Sequence, residues 1–162
     1  MRQFSLRAVV SDVSPDTAYE RVRRFEEFVG FSDVIRSISV TGVDATTRTS
    51  AWEVNFYDGV MRWTERDVLD PAARSITFEQ LHGDLAVFSG SWQVDAAGEG
   101  GTSVLFETEF DLGMPYIADV IDPIAVEAFD DTMSRLMIGL FGASIDLEVT
   151  VDGVVRTESL TA

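Results

Sequence analysis

Apolar and polar residues alternate along most of the chain, which is the period-two pattern of strands with one buried face. Residues 3–10 show it plainly, because Phe4, Leu6, Ala8 and Val10 share one face. The same pattern predicts further strands over residues 34–43, 47–57, 60–70, 75–81, 88–94 and 103–112.

Helical spacing interrupts the strands at two places. Ser14 followed by Pro15 is a helix start, and this helix is expected to run to about residue 24. A second short helix is expected over residues 26–31, and residues 115–121 predict one or two helical turns. Asp122 and Pro123 then predict a new N-cap and a long helix to Phe141. Its apolar positions recur at helical spacing: Ile124, Ala128, Phe129, Leu136 and Leu140.

Two tight turns predict hairpins. Asp58-Gly59 joins the strands at 47–57 and 60–70, and Asp152-Gly153 joins strands at 145–151 and 154–160. A long amphipathic helix after a run of antiparallel strands must bury its apolar stripe on the sheet. We therefore expect an α+β fold in which a curved sheet wraps the helix. One domain covers residues 1–142, and residues 143–162 extend it as a C-terminal hairpin.

Composition narrows the classes of function. The 162 residues suffice for one domain, and 46% hydrophobic residues exclude a disordered chain. A net charge of −16 argues against nucleic-acid binding and anionic membrane surfaces. Cysteine is absent, no apolar run is long enough to span a bilayer, and no signal-peptide pattern is seen. We expect a cytoplasmic protein with no membrane insertion.

The strand at 60–70 carries the most informative pattern. Met61, Trp63, Glu65 and Asp67 fall on one face, and charged residues fall on the other face as well. A face that mixes tryptophan with carboxylates is typical of a cavity wall rather than of a packed core.

Several local sequences, in this order along the chain, resemble one family. They are Phe25-Glu26-Glu27-Phe28 before residues 33–37, then the segments 62–70, 76–80, 83–92 and 109–113. Together they resemble the START-like, helix-grip (SRPBCC) superfamily, within it the polyketide cyclase/aromatase and Coq10-like branch. The resemblance covers residues 3–141 and leaves the C-terminal tail outside it.

The resemblance implies an internal cavity for an elongated hydrophobic ligand. It implies a cofactor-free polyketide cyclase of antibiotic biosynthesis, acting as a lyase on an oxygenated intermediate delivered by an acyl carrier protein. A second hypothesis is a non-catalytic carrier of a lipid, quinone or polyketide. A third is an interaction module whose tail hairpin offers a strand edge for self-pairing, giving a homodimer.

The sequence departs from the aromatase pattern at its centre. That pattern places a serine and an arginine two and four residues after the pocket tryptophan, where this chain has Glu65 and Asp67 after Trp63. Glu79 stands where another basic pocket residue is expected. Three carboxylates facing one cavity would form a catalytic acid/base group, with at least one raised pKa. Alternatively, the face is solvated, or Arg62 and Arg66 pair with the carboxylates.

Other residues are candidates for binding substrate or partner. Trp63 would stack on the ligand or serve the core, and His82 would act as a base or lie on the surface. No metal site is expected. The acyl carrier protein would dock on Arg21, Arg23 and Arg24, which otherwise form a solvated helix face. The remaining candidate substrate-binding residues are Tyr57, Phe88, Trp92, Phe106, Tyr116 and Thr132.

Overall fold

A single antiparallel sheet of nine strands forms the body of the protein in a computed structural model that describes residues 1–142 and 144–160. The strands lie in the order β2-β3-β4-β5-β6-β7-β1-β8-β9. The elements are β1 (Arg2–Ser11), α1 (Pro15–Val22), a 3₁₀ helix (Phe25–Phe31), β2 (Ile35–Gly42), β3 (Thr47–Phe56), β4 (Gly59–Asp70), β5 (Ser75–Gly83), β6 (Val87–Ala97), β7 (Gly101–Asp111), a second 3₁₀ helix (Pro115–Ile117), α2 (Ala118–Phe141), β8 (Ile145–Val151) and β9 (Val154–Leu160).

The core lies between one face of this curved sheet and the long helix α2. The alternating residues of β1 are all buried, as the pattern predicted, and so are Leu136 and Leu140 of α2. Alternate residues of β7 are buried on the same side of the sheet. The predicted α+β, helix-grip arrangement is confirmed.

Helix α1 begins as the sequence predicts. The Ser14 hydroxyl accepts a hydrogen bond from the Thr17 backbone N–H at 3.2 Å, and Pro15 occupies the first turn. Ala18, Val22 and Phe25 are fully buried, so one side of this segment packs on the core. This packing places the 3₁₀ helix Phe25–Phe31 over β2 and α2.

The predicted start of the long helix at Asp122 is wrong. Helix α2 begins at Ala118, and Pro123 lies inside it. Proline lacks an N–H and removes one helical hydrogen bond, but this loss falls near the helix start, where it interrupts few others. Ile121 and Ala125 are buried on either side of Pro123, so packing keeps the helix continuous.

The C-terminal hairpin joins the same sheet. Strand β8 pairs with β1 along seven residues, and Ile145, Leu147 and Val149 are buried. Ala143, Thr161 and Ala162, which belong to the predicted extension, lie outside the described residues.

Candidate functional site

An apolar cavity of about 90 Å³ lies between the inner face of the sheet and helix α2. Five residues predicted to bind substrate line it, together with Glu65 and Trp52. Those five are Trp63, Phe88, Trp92, Phe106 and Thr132. Glu65 is the one ionisable side chain among the described residues that line the cavity.

Nine of the described residues that line the cavity are aromatic. Trp52 and Trp63 face each other on β3 and β4 and stack, with ring centroids 5.5 Å apart and planes 11° from parallel. Phe88 meets the edge of Trp63, and Phe129 of α2 stacks on Phe88. Flat rings of this kind present π faces to a planar ligand.

Glu65 is buried against this aromatic wall. Only 2% of its surface is exposed, and one carboxyl oxygen accepts a hydrogen bond from the Trp63 indole N–H at 2.8 Å. Burial, followed by the hydrogen bond and charge of neighbouring Asp67, raises the pKa of Glu65 well above its ordinary value. Burial and the neighbouring Asp67 therefore both favour the protonated form of Glu65.

Asp67 lies behind Glu65 and is completely buried. The Ser50 hydroxyl donates a hydrogen bond of 2.6 Å to one Asp67 oxygen, and the Trp52 indole N–H donates to Ser50 at 2.9 Å. The other Asp67 oxygen, Oδ1, has no hydrogen-bond partner in the described part of the chain. A hydrogen bond between the Glu65 and Asp67 carboxyl groups, which contributes to the raised pKa of Glu65, needs a proton on one of the two.

Arg48 compensates the charge of Asp67. Its Nε lies 3.6 Å from an Asp67 carboxylate oxygen, and its guanidinium carbon lies 4.3 Å from the centre of the Phe25 ring. Burial lowers the pKa of Arg48 from its ordinary value, although the charge of Asp67 opposes this effect. The Phe25 ring thus covers an ion pair that is almost sealed from solvent.

Strand register explains how this polar cluster forms. Strand β3 runs antiparallel to β4 with Trp52 opposite Trp63, Ser50 opposite Glu65 and Arg48 opposite Asp67. From Trp52 toward its N-terminus, β3 carries a serine two residues away and an arginine four residues away. The aromatase pattern has the same spacing, but in the opposite chain direction. The guanidinium that is missing from β4 is present one strand away, where it faces a carboxylate.

Glu79 does not share the cavity, so the expectation of three carboxylates facing one space is wrong. It lies opposite Arg66 on the outer face of the sheet and is exposed. Ile76 and Phe78 are inward residues of β5, and Glu79 follows Phe78 directly, so its side chain falls on the other face. The inward neighbour opposite Glu65 is Gln80, whose amide donates to the Leu85 carbonyl at 2.8 Å.

Three of the predicted binding residues point away from the cavity. His82 is exposed opposite Thr64, because one extra residue, Leu81, bulges from β5 and shifts the alternation. Tyr57 is 72% exposed because it lies in the turn with a φ of 54°, so β3 ends one residue earlier than predicted. Tyr116 is fully exposed on the second 3₁₀ helix.

The arginines predicted to dock an acyl carrier protein are partly engaged within the molecule. Arg21 donates to the Leu140 carbonyl at the end of α2, at 3.0 Å, and Arg23 pairs with Glu20 at 3.3 Å. Arg24 stays exposed. Two of the three arginines thus make contacts within this chain, one with the end of α2 and one on the surface of α1.

The curved sheet, the long helix and the apolar cavity between them define a helix-grip fold with an internal space for a hydrophobic ligand. Residues 11–137 match the model of the family described as polyketide cyclase/dehydrase and lipid transport, and the chain belongs to that family. No curated protein matches the sequence closely enough to count as a relative. Within the described residues, no helix is long and apolar enough to cross a bilayer.

Solved structures confirm the fold at low sequence identity. A protein from Thermus thermophilus is 20% identical, with 84% of this chain and 93% of that chain covered and a TM-score of 0.74. The Zhui aromatase/cyclase from Streptomyces sp. R1128 is 14% identical, with 88% and 93% covered and a TM-score of 0.75. A START superfamily protein from Mycobacterium smegmatis is 14% identical, with 87% and 97% covered and a TM-score of 0.72.

The titration of Glu65 predicts a pH-dependent stability. Because its pKa is raised by folding, the folded protein holds a proton that the unfolded chain releases as pH rises above the ordinary carboxyl range. The wild type therefore loses stability through that window, whereas Glu65→Gln cannot titrate. We expect the melting temperature of Glu65→Gln to exceed that of the wild type increasingly as pH rises from about 4 to about 8.

Thermal unfolding at a series of pH values measures this difference. Glu107→Gln is the matched control, because Glu107 is exposed on the outer face of the sheet. Its difference from the wild type should stay small throughout the pH range. A Glu65→Gln curve parallel to the wild-type curve would show that Glu65 titrates normally.

Proposed function

We propose that this protein is a cofactor-free polyketide cyclase that closes or dehydrates a ring in its internal cavity. The observation that carries the proposal is Glu65, a buried carboxylic acid among aromatic side chains. An acid that keeps its proton near neutral pH can transfer it to a ligand oxygen and recover it within one turnover. An apolar carrier cavity has no need of such a group.

Ring closure needs a proton at one oxygen and a base at another. The enol carbon of a poly-β-ketone attacks a ketone carbon of the same chain, and Glu65 gives its proton to the ketone oxygen. The Glu65 carboxylate then takes the proton from the enol oxygen, which becomes a ketone. The product is a β-hydroxyketone, and Glu65 is protonated again.

Dehydration also uses Glu65 first as an acid and then as a base. Glu65 protonates the leaving hydroxyl, water departs, and the Glu65 carboxylate accepts the proton from the carbon between the hydroxyl-bearing carbon and the ketone. Asp67 favours the protonated state of Glu65 by its charge, while Ser50 and Arg48 hold Asp67 in place. Thr132 can donate a hydrogen bond to a ligand oxygen from the opposite wall.

The cavity volume limits what binds without movement of the wall. About 90 Å³ is less than the roughly 300–1,000 Å³ of sites that enclose drug-sized ligands. A folded polyketide therefore needs aromatic side chains to move. Phe129 is only partly buried and makes no hydrogen bond through its side chain, so it can move at least cost, whereas an indole hydrogen bond holds each of Trp52 and Trp63.

The alternative function is a carrier of a lipid, quinone or polyketide, and the apolar wall favours it equally. Gentle purification followed by native mass spectrometry and denaturing extraction separates the two. We expect an oxygenated polyketide to remain bound. An isoprenoid or fatty lipid, recovered unchanged, would overturn the cyclase proposal and make this a carrier. Delivery by an acyl carrier protein stays a prediction.

A further inference from the structure

The two edges of the nine-stranded sheet differ in their protection. At one edge, β2 carries a bulge between Ile35 and Ser37, and the 3₁₀ helix Phe25–Phe31 packs against it. At the other edge, β9 runs for seven residues without proline, lysine or bulge. Bulges, coverings, proline and charged side chains are devices by which proteins prevent strand edges from pairing with other chains. Among the described residues, β9 has only the charges of Arg156 and Glu158, which are of opposite sign.

Strand β9 is also held in place while both of its faces stay exposed. Residues 154–159 are all exposed, including Val154 at 74% and Val155 at 55%. Asp152, in the turn, accepts a hydrogen bond from the Gln3 backbone N–H at 2.9 Å, and Arg156 pairs with Asp130 of α2. An edge fixed at both the turn and the strand loses little conformational entropy when a partner strand binds.

The unpaired backbone groups of β9 are symmetric about Thr157. Strands β8 and β9 are joined by the two-residue turn Asp152-Gly153, with φ of 46° and 85°, so Val151 and Val154 form a hydrogen-bonded pair. Alternation then directs the N–H and C=O groups of Val155, Thr157 and Ser159 away from β8. An antiparallel copy centred on Thr157 matches all three groups.

The side chains of β9 fit the same symmetry. In that register Thr157 lies opposite its own copy, and Arg156 lies opposite Glu158 of the second chain. The contacts beside the axis then join opposite charges or two threonines, which are favourable cross-strand pairs, and Val155 lies opposite Ser159. We propose that β9 is a self-association edge, through which two copies of this chain join their sheets across a two-fold axis. Association through β9 does not require a ligand in the cavity.

Charge reversal tests this register. Glu158→Arg places arginine opposite arginine, and Arg156→Glu places glutamate opposite glutamate, so neither variant should self-associate. Mixing the two variants should restore association, because each charge then meets its opposite. Glu107→Arg makes the same change of charge on the outer face and should associate like the wild type.

Sedimentation velocity over about 1 µM to 1 mM, at physiological ionic strength, measures the association. One strand pair buries little area, so we expect a dissociation constant in the micromolar range. Thr157→Pro removes an N–H that the monomer does not use, and it should abolish the dimer while the melting temperature stays near the wild-type value. A wild type that stays monomeric at about 1 mM, or a dimer that survives Glu158→Arg or Thr157→Pro, would overturn the proposal.

Discussion

Glu65→Gln is expected to lower turnover of a cyclisable polyketide by about 10²–10⁴-fold, the usual contribution of a positioned acid or base. The amide keeps the shape of the protonated side chain and can still accept the hydrogen bond from Trp63. It cannot transfer a proton, so ligand affinity should change little while the rate falls. Turnover and ligand affinity are measured separately, by chromatographic separation of product from substrate and by tryptophan fluorescence.

Glu79→Gln is the matched control for this experiment. It removes a carboxylate from the neighbouring strand, but on the outer, exposed face. Its turnover should equal that of the wild type. Equal loss in both variants, or full activity in Glu65→Gln, would contradict the role assigned to Glu65.

Arg48→Met is expected to have the largest effect on stability. It removes the cation that compensates Asp67, whose side chain is completely buried, while keeping an unbranched apolar stem beneath Phe25. Removing one partner of a buried ion pair typically costs about 3–5 kcal/mol, because the other charge is left unpaired. Urea unfolding of the wild type and variant measures this loss in the free energy of unfolding.

The double variant identifies the cause of the loss. Arg48→Met combined with Asp67→Asn removes both charges, so we expect it to recover most of the stability. Arg62→Met breaks the exposed pair with Glu53 and should cost less than about 1 kcal/mol. A double variant as unstable as Arg48→Met would mean that Arg48 stabilises the fold through packing on Phe25 rather than through charge.

The fold was largely predictable because the burial pattern alternates cleanly. Alternation of apolar and polar residues was enough to predict the strands. The same alternation placed Trp63, Glu65 and Asp67 together on the inner face of β4. Glu79 could also have been placed from the sequence, since it falls out of phase with Ile76 and Phe78. His82 could not, because the bulge at Leu81 is set by pairing with β4.

The site was predicted only in part because its polar cluster spans strands. Arg48, Ser50 and Gln80 were missed, and Trp52 was recognised only as a strand residue. The turn of the β3–β4 hairpin could have revealed this cluster. A turn placed at Tyr57-Asp58 sets the strand register, and that register puts Arg48 opposite Asp67 and Ser50 opposite Glu65. The continuous start of α2 through Pro123 depended on tertiary packing that local sequence does not show.

The proposed chemistry requires Glu65 to be a neutral carboxylic acid inside the aromatic cavity. Infrared difference spectroscopy between the wild type and Glu65→Gln at neutral pH tests this without any knowledge of the substrate. We predict a carbonyl band of a protonated carboxyl group that shifts in D₂O and is missing in the variant. A difference spectrum that contains only carboxylate bands would show that Glu65 is ionised, and would contradict the account.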